Sequence, residues 1–161
     1  MASADLPQQN PGDFVAVGPD PISSDAVLDF VAAPDCGAVV LFLGTVRDHS
    51  PGKTGVTHLE YEAYEGVVEP KIREIVAEAR VKWPIRRAAA VHRTGELRVG
   101  EVSVAVAVSS PHRKDAFAAG RYLIDELKHR APVWKKEHWP GGAEWVREDV
   151  AHQQESGDAE A

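Results

Sequence analysis

One stretch of the chain, residues 108–137, constrains the fold most strongly because it holds a helix between two prolines. Ser110 can cap this helix, Pro111 suits its first position, and Asp115 falls in its first turn. The helix cannot continue past Pro132, since proline lacks the backbone N–H and clashes with the preceding turn. The sequence therefore predicts one long helix with a defined start and end.

Basic side chains lie at both ends of this helix, although the 161-residue protein carries a net charge of -7. His112 and Arg113 stand where free backbone N–H groups favour an anion, so this pair either binds an anion or forms a solvated first turn. Lys128 either runs along apolar surface or points into a pocket. Lys135 and Lys136 are either a plain surface pair or part of a site.

The rest of the chain alternates between helix and strand patterns. Apolar residues at helical spacing predict two more helices, and alternating or continuous apolar runs predict strands. One helix is expected at residues 23–33, and the other begins between residues 65 and 70 and ends at about 82. Strands are expected at residues 13–18, 37–46, 56–64, 85–92, 101–109 and around 145–146. We expect 37–46 to be a buried strand and 48–55 to be a turn-rich loop. This order predicts an α+β domain with a mostly antiparallel sheet and about three helices.

The charge distribution suggests one domain with loose, acidic ends. Residues 1–35 carry a net charge of -6 and residues 144–161 a net charge of -5, which leaves +4 between them. We expect a disordered arm at 1–12, a single domain at 13–147 and a mobile acidic tail at 148–161. The negative net charge of the whole protein argues against a general nucleic-acid binder. The positive net charge of the middle segment suits a small anionic ligand or an acidic partner.

Other composition signals exclude several classes of site. The single cysteine, Cys36, rules out an internal disulfide and fits a reducing compartment. The sequence shows no secretory signal and no apolar run long enough for a membrane span, so we expect a soluble cytoplasmic protein. The seven histidines lack metal-site spacing, and the glycines form no nucleotide-binding loop, so we predict neither a metal nor a cofactor. Arg47 ends a hydrophobic strand and is either a site residue or a capping arginine.

Several motifs, taken in order, resemble the catalytic large subunit of molybdopterin synthase. They are Phe42–Arg47, Leu59–Tyr64, Val91–Arg93 with Gly95 and Gly100, Pro111–Arg113, Leu127–Lys128 and Pro132–Glu137. The resemblance covers about residues 37–146 and implies a hammerhead-like α+β fold, a homodimer, and a heterotetramer with two small ubiquitin-like sulfur-carrier subunits. It also implies that cyclic pyranopterin monophosphate is converted to molybdopterin with sulfur from the carrier's C-terminal thiocarboxylate.

The resemblance carries over to individual positions. It implies that Lys128 and Lys135 are catalytic, and that the substrate is bound by Thr45, Val46, Arg47, His112, Arg113, Lys136 and Glu137. The chain departs from the family pattern at Pro111 and at Glu69-Pro70. Arg147 is the one candidate for a basic residue near the C-terminus.

Helix geometry adds a constraint of its own. Arg113 and Lys128 are fifteen positions apart, which is roughly 22 Å along a helix. We therefore expect a pocket shared between two subunits, with His112 and Arg113 supplied by the dimer mate of the chain that supplies Lys128. The rival interpretation is a non-catalytic module that binds a phosphorylated metabolite or an acidic protein tail. An RNA-binding protein is disfavoured by the acidic total.

Overall fold

The computed structural model describes residues 10–147, and within them three helices and ten strands form an α+β fold. The helices are α1 (Ser24–Val31), α2 (Glu65–Lys82) and α3 (Arg113–Arg130). The strands are β1 (Asp13–Gly18), β2 (Ala38–Thr45), β3 (His49–Ser50), β4 (Lys53–Thr54), β5 (His58–Ala63), β6 (Arg87–Arg93), β7 (Gly95–Arg98), β8 (Val102–Ser110), β9 (Val133–Trp139) and β10 (Gly142–Arg147). The predicted fold class is confirmed. The acidic tail and residues 1–9 of the N-terminal arm lie outside the described part of the chain.

The first sheet is a layer between helices, with strand order β1-β6-β8-β2. Only its β1–β6 pair is parallel. Along β8, Val104, Val106 and Val108 face the core shared with α2 and α3, whereas Ala105 and Ala107 face α1. Small alanines on one face let the short helix α1 approach closely, and the larger valines fill the space under the two long helices.

The second sheet has the order β10-β9-β5-β7, and every neighbouring pair in it is antiparallel. Its inner face contributes Leu59, Tyr61, Leu97 and Val133 to the main core. The alternation predicted for residues 56–64 is confirmed, because Leu59 and Tyr61 are buried while Glu62 is exposed. The outer face of this sheet carries mostly polar side chains.

Strand β2 differs from its prediction. Residues 37–46 were expected to be buried, but Val39 and Phe42 are 44% and 39% exposed. The reason is that β2 is an edge strand, paired only with β8. The turn-rich segment that follows also gains structure, because β3 and β4 form a short hairpin that turns at Gly52 with φ of 74°. The hairpin was predicted only as a loop.

Helix α3 begins two residues later than the capping prediction. Ser110 ends β8, where it is fully buried and its hydroxyl donates to the Pro84 carbonyl at 3.0 Å. His112 is the N-cap instead, and its carbonyl accepts from the Ala116 N–H at 3.2 Å. Ser110 therefore pairs in the sheet and does not cap the helix, although the local sequence favoured it as the N-cap. The end of α3 at Arg130 agrees with the stop that Pro132 predicts. None of the helices in residues 10–147 has both the length and the apolar character of a membrane span.

Candidate active site

A cleft of about 190 Å³ lies where the two sheets meet the C-terminal end of α3. Five of the residues proposed from the sequence line it: Thr45, Arg47, Lys128, Lys135 and Glu137. The rest of the lining is Phe42, Gly44, His49, Ser50, Val56, Leu59, Tyr61 and Ser103. The fold therefore brings together side chains that are up to 95 positions apart in the chain.

The rim of the cleft is shaped by an irregularity between β2 and β8. Gly44 pairs with Val104 but Thr45 pairs with Val102, so Ser103 is an extra residue on β8. The Ser103 hydroxyl donates to the Gly44 carbonyl at 3.2 Å. A Cβ atom at Gly44 would lie 2.5 Å from Val104 Cγ1, so a side chain at this position would collide. The bulge re-aims the end of β2, from which the chain continues to Arg47.

Strand β9 supplies a buried charge pair to the cleft. Lys135 and Glu137 are 9% and 3% exposed, and Lys135 Nζ lies 3.5 Å from Glu137 Oε1. The Ser50 hydroxyl donates to Glu137 Oε2 at 2.7 Å, and Lys53 Nζ donates to the same atom at 3.2 Å. Burial favours a higher pKa for Glu137, but the Ser50 hydrogen bond and the charges of the two lysines outweigh it and lower the pKa. Glu137 is therefore an ionised carboxylate at neutral pH.

The β3–β4 hairpin is tied to β9 and β10 by Lys53. Its ammonium group lies 2.6 Å from Glu144 Oε2 as well as 3.2 Å from Glu137 Oε2. Burial alone favours a lower pKa for Lys53, but the two carboxylates raise the pKa. Lys53 thus stays charged and holds the hairpin against the carboxylate side of the cleft.

Behind Tyr61 and Lys128 lies a fully buried histidine, His92. Its Nδ1 is 2.9 Å from the Arg93 carbonyl, and its ring packs edge-on against Tyr61 with centroids 5.1 Å apart. Burial, together with the charge of Lys128, lowers the pKa of His92 to about 4. Burial also raises the pKa of Tyr61. Both rings are consequently neutral at pH 7, and positive charge at this end of the cleft comes from Lys128.

Four of the residues proposed from the sequence lie elsewhere. Val46 is 3% exposed in the core, and its backbone N–H and carbonyl bond to Glu101 and Gly100. Lys136 lies on the outer face of the second sheet, with Nζ 5.5 Å from the ring centroid of Trp145. His112 and Arg113 are exposed at the far end of α3 from Lys128.

Sequence reasoning missed several cleft residues. Ser50 and Lys53 looked like loop residues, and only the hairpin turn brings them to Glu137. Tyr61 falls within the strand predicted at 56–64, but it was not among the proposed site residues. Ser103 lies within a strand of mostly apolar residues, and the bulge that turns it towards the cleft has no recognisable sequence signal.

The cleft is chemically suited to an anionic reactant. Arg47, Lys128 and Lys135 are cations that can orient a phosphate or stabilise a developing negative charge. The buried Glu137 fixes the position of Lys135. A group of three potential metal ligands also exists within residues 10–147, but it lies outside the cleft, at His58, Glu60 and His138.

Comparisons with known proteins agree with this fold. A family model described as MoaE protein matches residues 17–130. The molybdopterin synthase catalytic subunit of Staphylococcus carnosus (strain TM300) is 46% identical over 127 residues, which cover 79% of this chain and 84% of that protein. The crystal structure of molybdopterin synthase from Staphylococcus aureus superposes with a TM-score of 0.76 and 40% identity, covering 81% of this chain and 94% of that one. A complex of subunits 1 and 2 of molybdopterin-converting factor from Helicobacter pylori 26695 shares the fold, with a TM-score of 0.67, 19% identity, and coverage of 84% and 90%.

Proposed function

The chain belongs to the MoaE family, and we propose that it performs this family's sulfur transfer in the cleft between Lys128 and Lys135. Its relatives are molybdopterin synthase catalytic subunits, so the protein is an enzyme that transfers sulfur in molybdenum cofactor biosynthesis. The observation that carries the assignment to the cleft is the meeting of two lysines, one arginine and a buried carboxylate in one concave site.

The substrate of our proposal is cyclic pyranopterin monophosphate, and the product is molybdopterin. A phosphate ester needs fixed cations to hold it, and Arg47 offers a planar guanidinium that can bind two phosphate oxygens at once. Arg47 lies next to Thr45 on the rim of the cleft. We assign phosphate or pterin contacts to these two residues.

The sulfur of our proposal comes from another chain. Cys36 does not line the cleft, and burial raises the pKa of its thiol, which disfavours the reactive thiolate. A small ubiquitin-like carrier whose C-terminus ends in a thiocarboxylate would supply the nucleophile instead. The Helicobacter pylori structure that shares this fold is a complex of subunits 1 and 2 of molybdopterin-converting factor, which supports a small-subunit partner.

Lys128 and Lys135 would stabilise the negative charge that develops in the reaction and would transfer its protons. As the carrier sulfur adds to the pterin side chain, negative charge develops on the substrate, and a nearby ammonium group stabilises it. Lys135 is held by Glu137, whose lowered pKa keeps it ionised, so the Nζ atom has a fixed position. A lysine fixed in this way can also donate a proton to a departing group.

The complete pocket of our proposal is shared by two copies of the chain. His112 and Arg113 lie at the opposite end of α3 from Lys128, so their anion-binding helix start would serve the mate's cleft. Val39 and Phe42 are exposed apolar residues on opposite faces of the edge strand β2, and the free edge of this strand offers a place for a second copy to pair. The assembly would be a homodimer within a heterotetramer with two carrier subunits. The cytoplasmic location stays a prediction from the sequence.

A reconstituted assay tests the proposal. Wild-type protein, thiocarboxylated carrier and the cyclic pterin phosphate should yield the dithiolene product, and Lys135→Ala or Lys128→Ala should reduce the rate by roughly 100-fold or more. Lys71→Ala is the matched control, since Lys71 lies on the surface of α2 and pairs with Glu74. Near-normal rates in Lys135→Ala would remove that lysine from the mechanism. Binding of the pterin by wild type without product would instead indicate a non-catalytic binding module.

A further inference from the structure

The outer face of the second sheet carries a cluster of three side chains that the sulfur-transfer site does not use. His58 on β5 pairs directly with His138 on β9, and Glu60 is two residues further along β5. One ligand atom of each residue lies within 4.8 Å of the others. The two imidazole rings are stacked, with centroids 4.1 Å apart and planes 14° from parallel. The cluster forms because strand pairing brings positions 58 and 138 together, so the spacing of histidines along the sequence could not predict it.

Thr57 contacts one ring nitrogen of His58 and leaves the other facing the cluster. The Thr57 hydroxyl donates its one hydrogen to the His138 carbonyl at 3.4 Å, and its oxygen lies 2.9 Å from His58 Nδ1. With the hydroxyl hydrogen directed at the carbonyl, Nδ1 donates to the Thr57 oxygen. This is the tautomer that metal binding through His58 Nε2 requires. Metal-bound histidines are commonly oriented by such a bond on the other ring nitrogen.

His138 has a polar atom that the described residues leave unsatisfied. Its Nε2 is buried and has no hydrogen-bond partner within residues 10–147, although Glu60 Oε1 lies 3.5 Å away. A buried polar atom without a bond costs about 1–3 kcal/mol in typical proteins, so such an atom calls for an explanation. A metal ion placed between Nε2 and the Glu60 carboxylate would satisfy both groups.

We propose that His58, Glu60 and His138 form a binding site for a divalent transition-metal ion of the zinc class. Two imidazoles and one carboxylate are ligands that zinc takes readily, while magnesium and calcium prefer oxygen ligands alone. Three protein ligands leave a fourth position for water. The site is separate from the cleft, because successive side chains of β5 and β9 point to opposite faces of the sheet.

Binding needs only a small adjustment of the side chains. Ligand atoms on one tetrahedral zinc ion lie about 3.3 Å from each other, so the widest separation in the cluster has to close by no more than about 1.5 Å. The stacked rings must also tilt towards each other so that both Nε2 lone pairs converge. The neighbouring Lys136 does not occupy the site, because its ammonium group lies over the Trp145 ring. Glu96 pairs with Glu60 from β7 and adds negative charge beside the cluster.

Metal binding would join β5 to β9 close to two residues that line the cleft. Tyr61 and Lys135 are paired in register on the same two strands and face the other side. An ion bound on the outer face would hold these strands together close to both cleft residues. The metal is thus expected to have a structural effect, measurable without any assay of sulfur transfer.

Zinc chloride titration of chelator-treated protein tests this site. Calorimetry should show one zinc ion per chain with micromolar affinity, and zinc should raise the melting temperature of the wild type. Glu60→Gln, which keeps the shape of the side chain, should weaken binding at least tenfold, as should His58→Ala and His138→Ala. Thr57→Val should weaken it by about tenfold through loss of the orienting bond.

The control is His129→Ala, which removes an exposed histidine of α3 and should leave zinc affinity unchanged. The visible spectrum of the cobalt-substituted protein gives an independent measure, because tetrahedral histidine-carboxylate ligation produces strong d–d bands that Glu60→Gln should abolish. The proposal is overturned if wild type shows no saturable zinc binding up to about 1 mM, or if Glu60→Gln and wild type bind equally. Either result leaves the assignment of the cleft untouched.

Discussion

The buried histidine behind the cleft makes the stability of this protein depend on pH in a way that can be calculated. His92 has a pKa of about 4 in the folded protein and about 6.5 when exposed. Between these two pH values the unfolded chain binds a proton that the folded chain does not, so stability falls as the pH is lowered. Each pH unit in this interval is equivalent to about 1.4 kcal/mol. Acidification from pH 7 to pH 4 should therefore remove about 3 kcal/mol through this one residue.

Urea unfolding at several pH values measures this contribution. His92→Asn is the suitable variant, since its amide nitrogen stands close to the Nδ1 position and can still donate to the Arg93 carbonyl. The free energy of unfolding of the variant should fall less steeply between pH 6.5 and pH 4.5 than that of wild type, by about 1.4 kcal/mol per pH unit. Equal slopes for the two proteins would mean that folded His92 accepts a proton readily, and the reasoning would be refuted.

Two further substitutions test the packing and the charges of the cleft. Gly44→Ala should lower the free energy of unfolding by about 1–3 kcal/mol, because the new methyl group collides with Val104, and an unchanged urea midpoint would contradict this. Glu137→Gln should cost about 3 kcal/mol at pH 7, because it leaves the buried Lys135 without its carboxylate partner. The pKa of Glu137 is lowered on folding, so its stabilising effect is present above pH 4.5 and is lost in more acidic solution. The difference in the free energy of unfolding between wild type and Glu137→Gln should accordingly become smaller below that pH. A difference that stays constant with pH would argue against the ion pair.

The helices could be predicted because their signals are local. Ile72, Ile75, Val76 and Ala79 recur at helical spacing, and all four are buried on the inner side of α2. Ser23 stands at the predicted start of the first helix, and its hydroxyl caps α1 by accepting from the Ala26 N–H at 3.2 Å. Each of these features depends on residues within a few positions of each other, so periodicity and capping rules are sufficient.

Strand β9 could not be predicted from the same rules. Its inward positions are Val133, Lys135 and Glu137, so charged residues stand where an apolar alternation would have revealed a strand. Burial of these charges is tolerated because Ser50 and Lys53 hydrogen-bond to Glu137, and Glu137 lies against Lys135. The local pattern fails at this strand because its inward charged side chains are buried in pairs, and the partners come from distant segments of the chain.

The start of α3 shows a tertiary contact overriding a local preference. Ser110 is a good N-cap by composition, but it pairs with Ala38 in the sheet, and the cap position passes to His112. For the site, the motifs were sufficient to select Lys128, Lys135 and Glu137. The hairpin contacts and the bulge at Gly44 depend on chain segments far apart in sequence and required the structure.

A mixed dimer tests most directly whether two chains share each pocket. Two chains are co-expressed with different affinity tags, one carrying Arg113→Ala and the other Lys128→Ala, and the mixed dimer is purified through both tags. If Arg113 acts on the mate's cleft, one pocket of the mixed dimer loses both residues while the other keeps both. The mixed dimer should then show about half of the wild-type rate of molybdopterin formation, although each parent homodimer is nearly inactive. A mixed dimer as inactive as its parents would contradict the shared pocket.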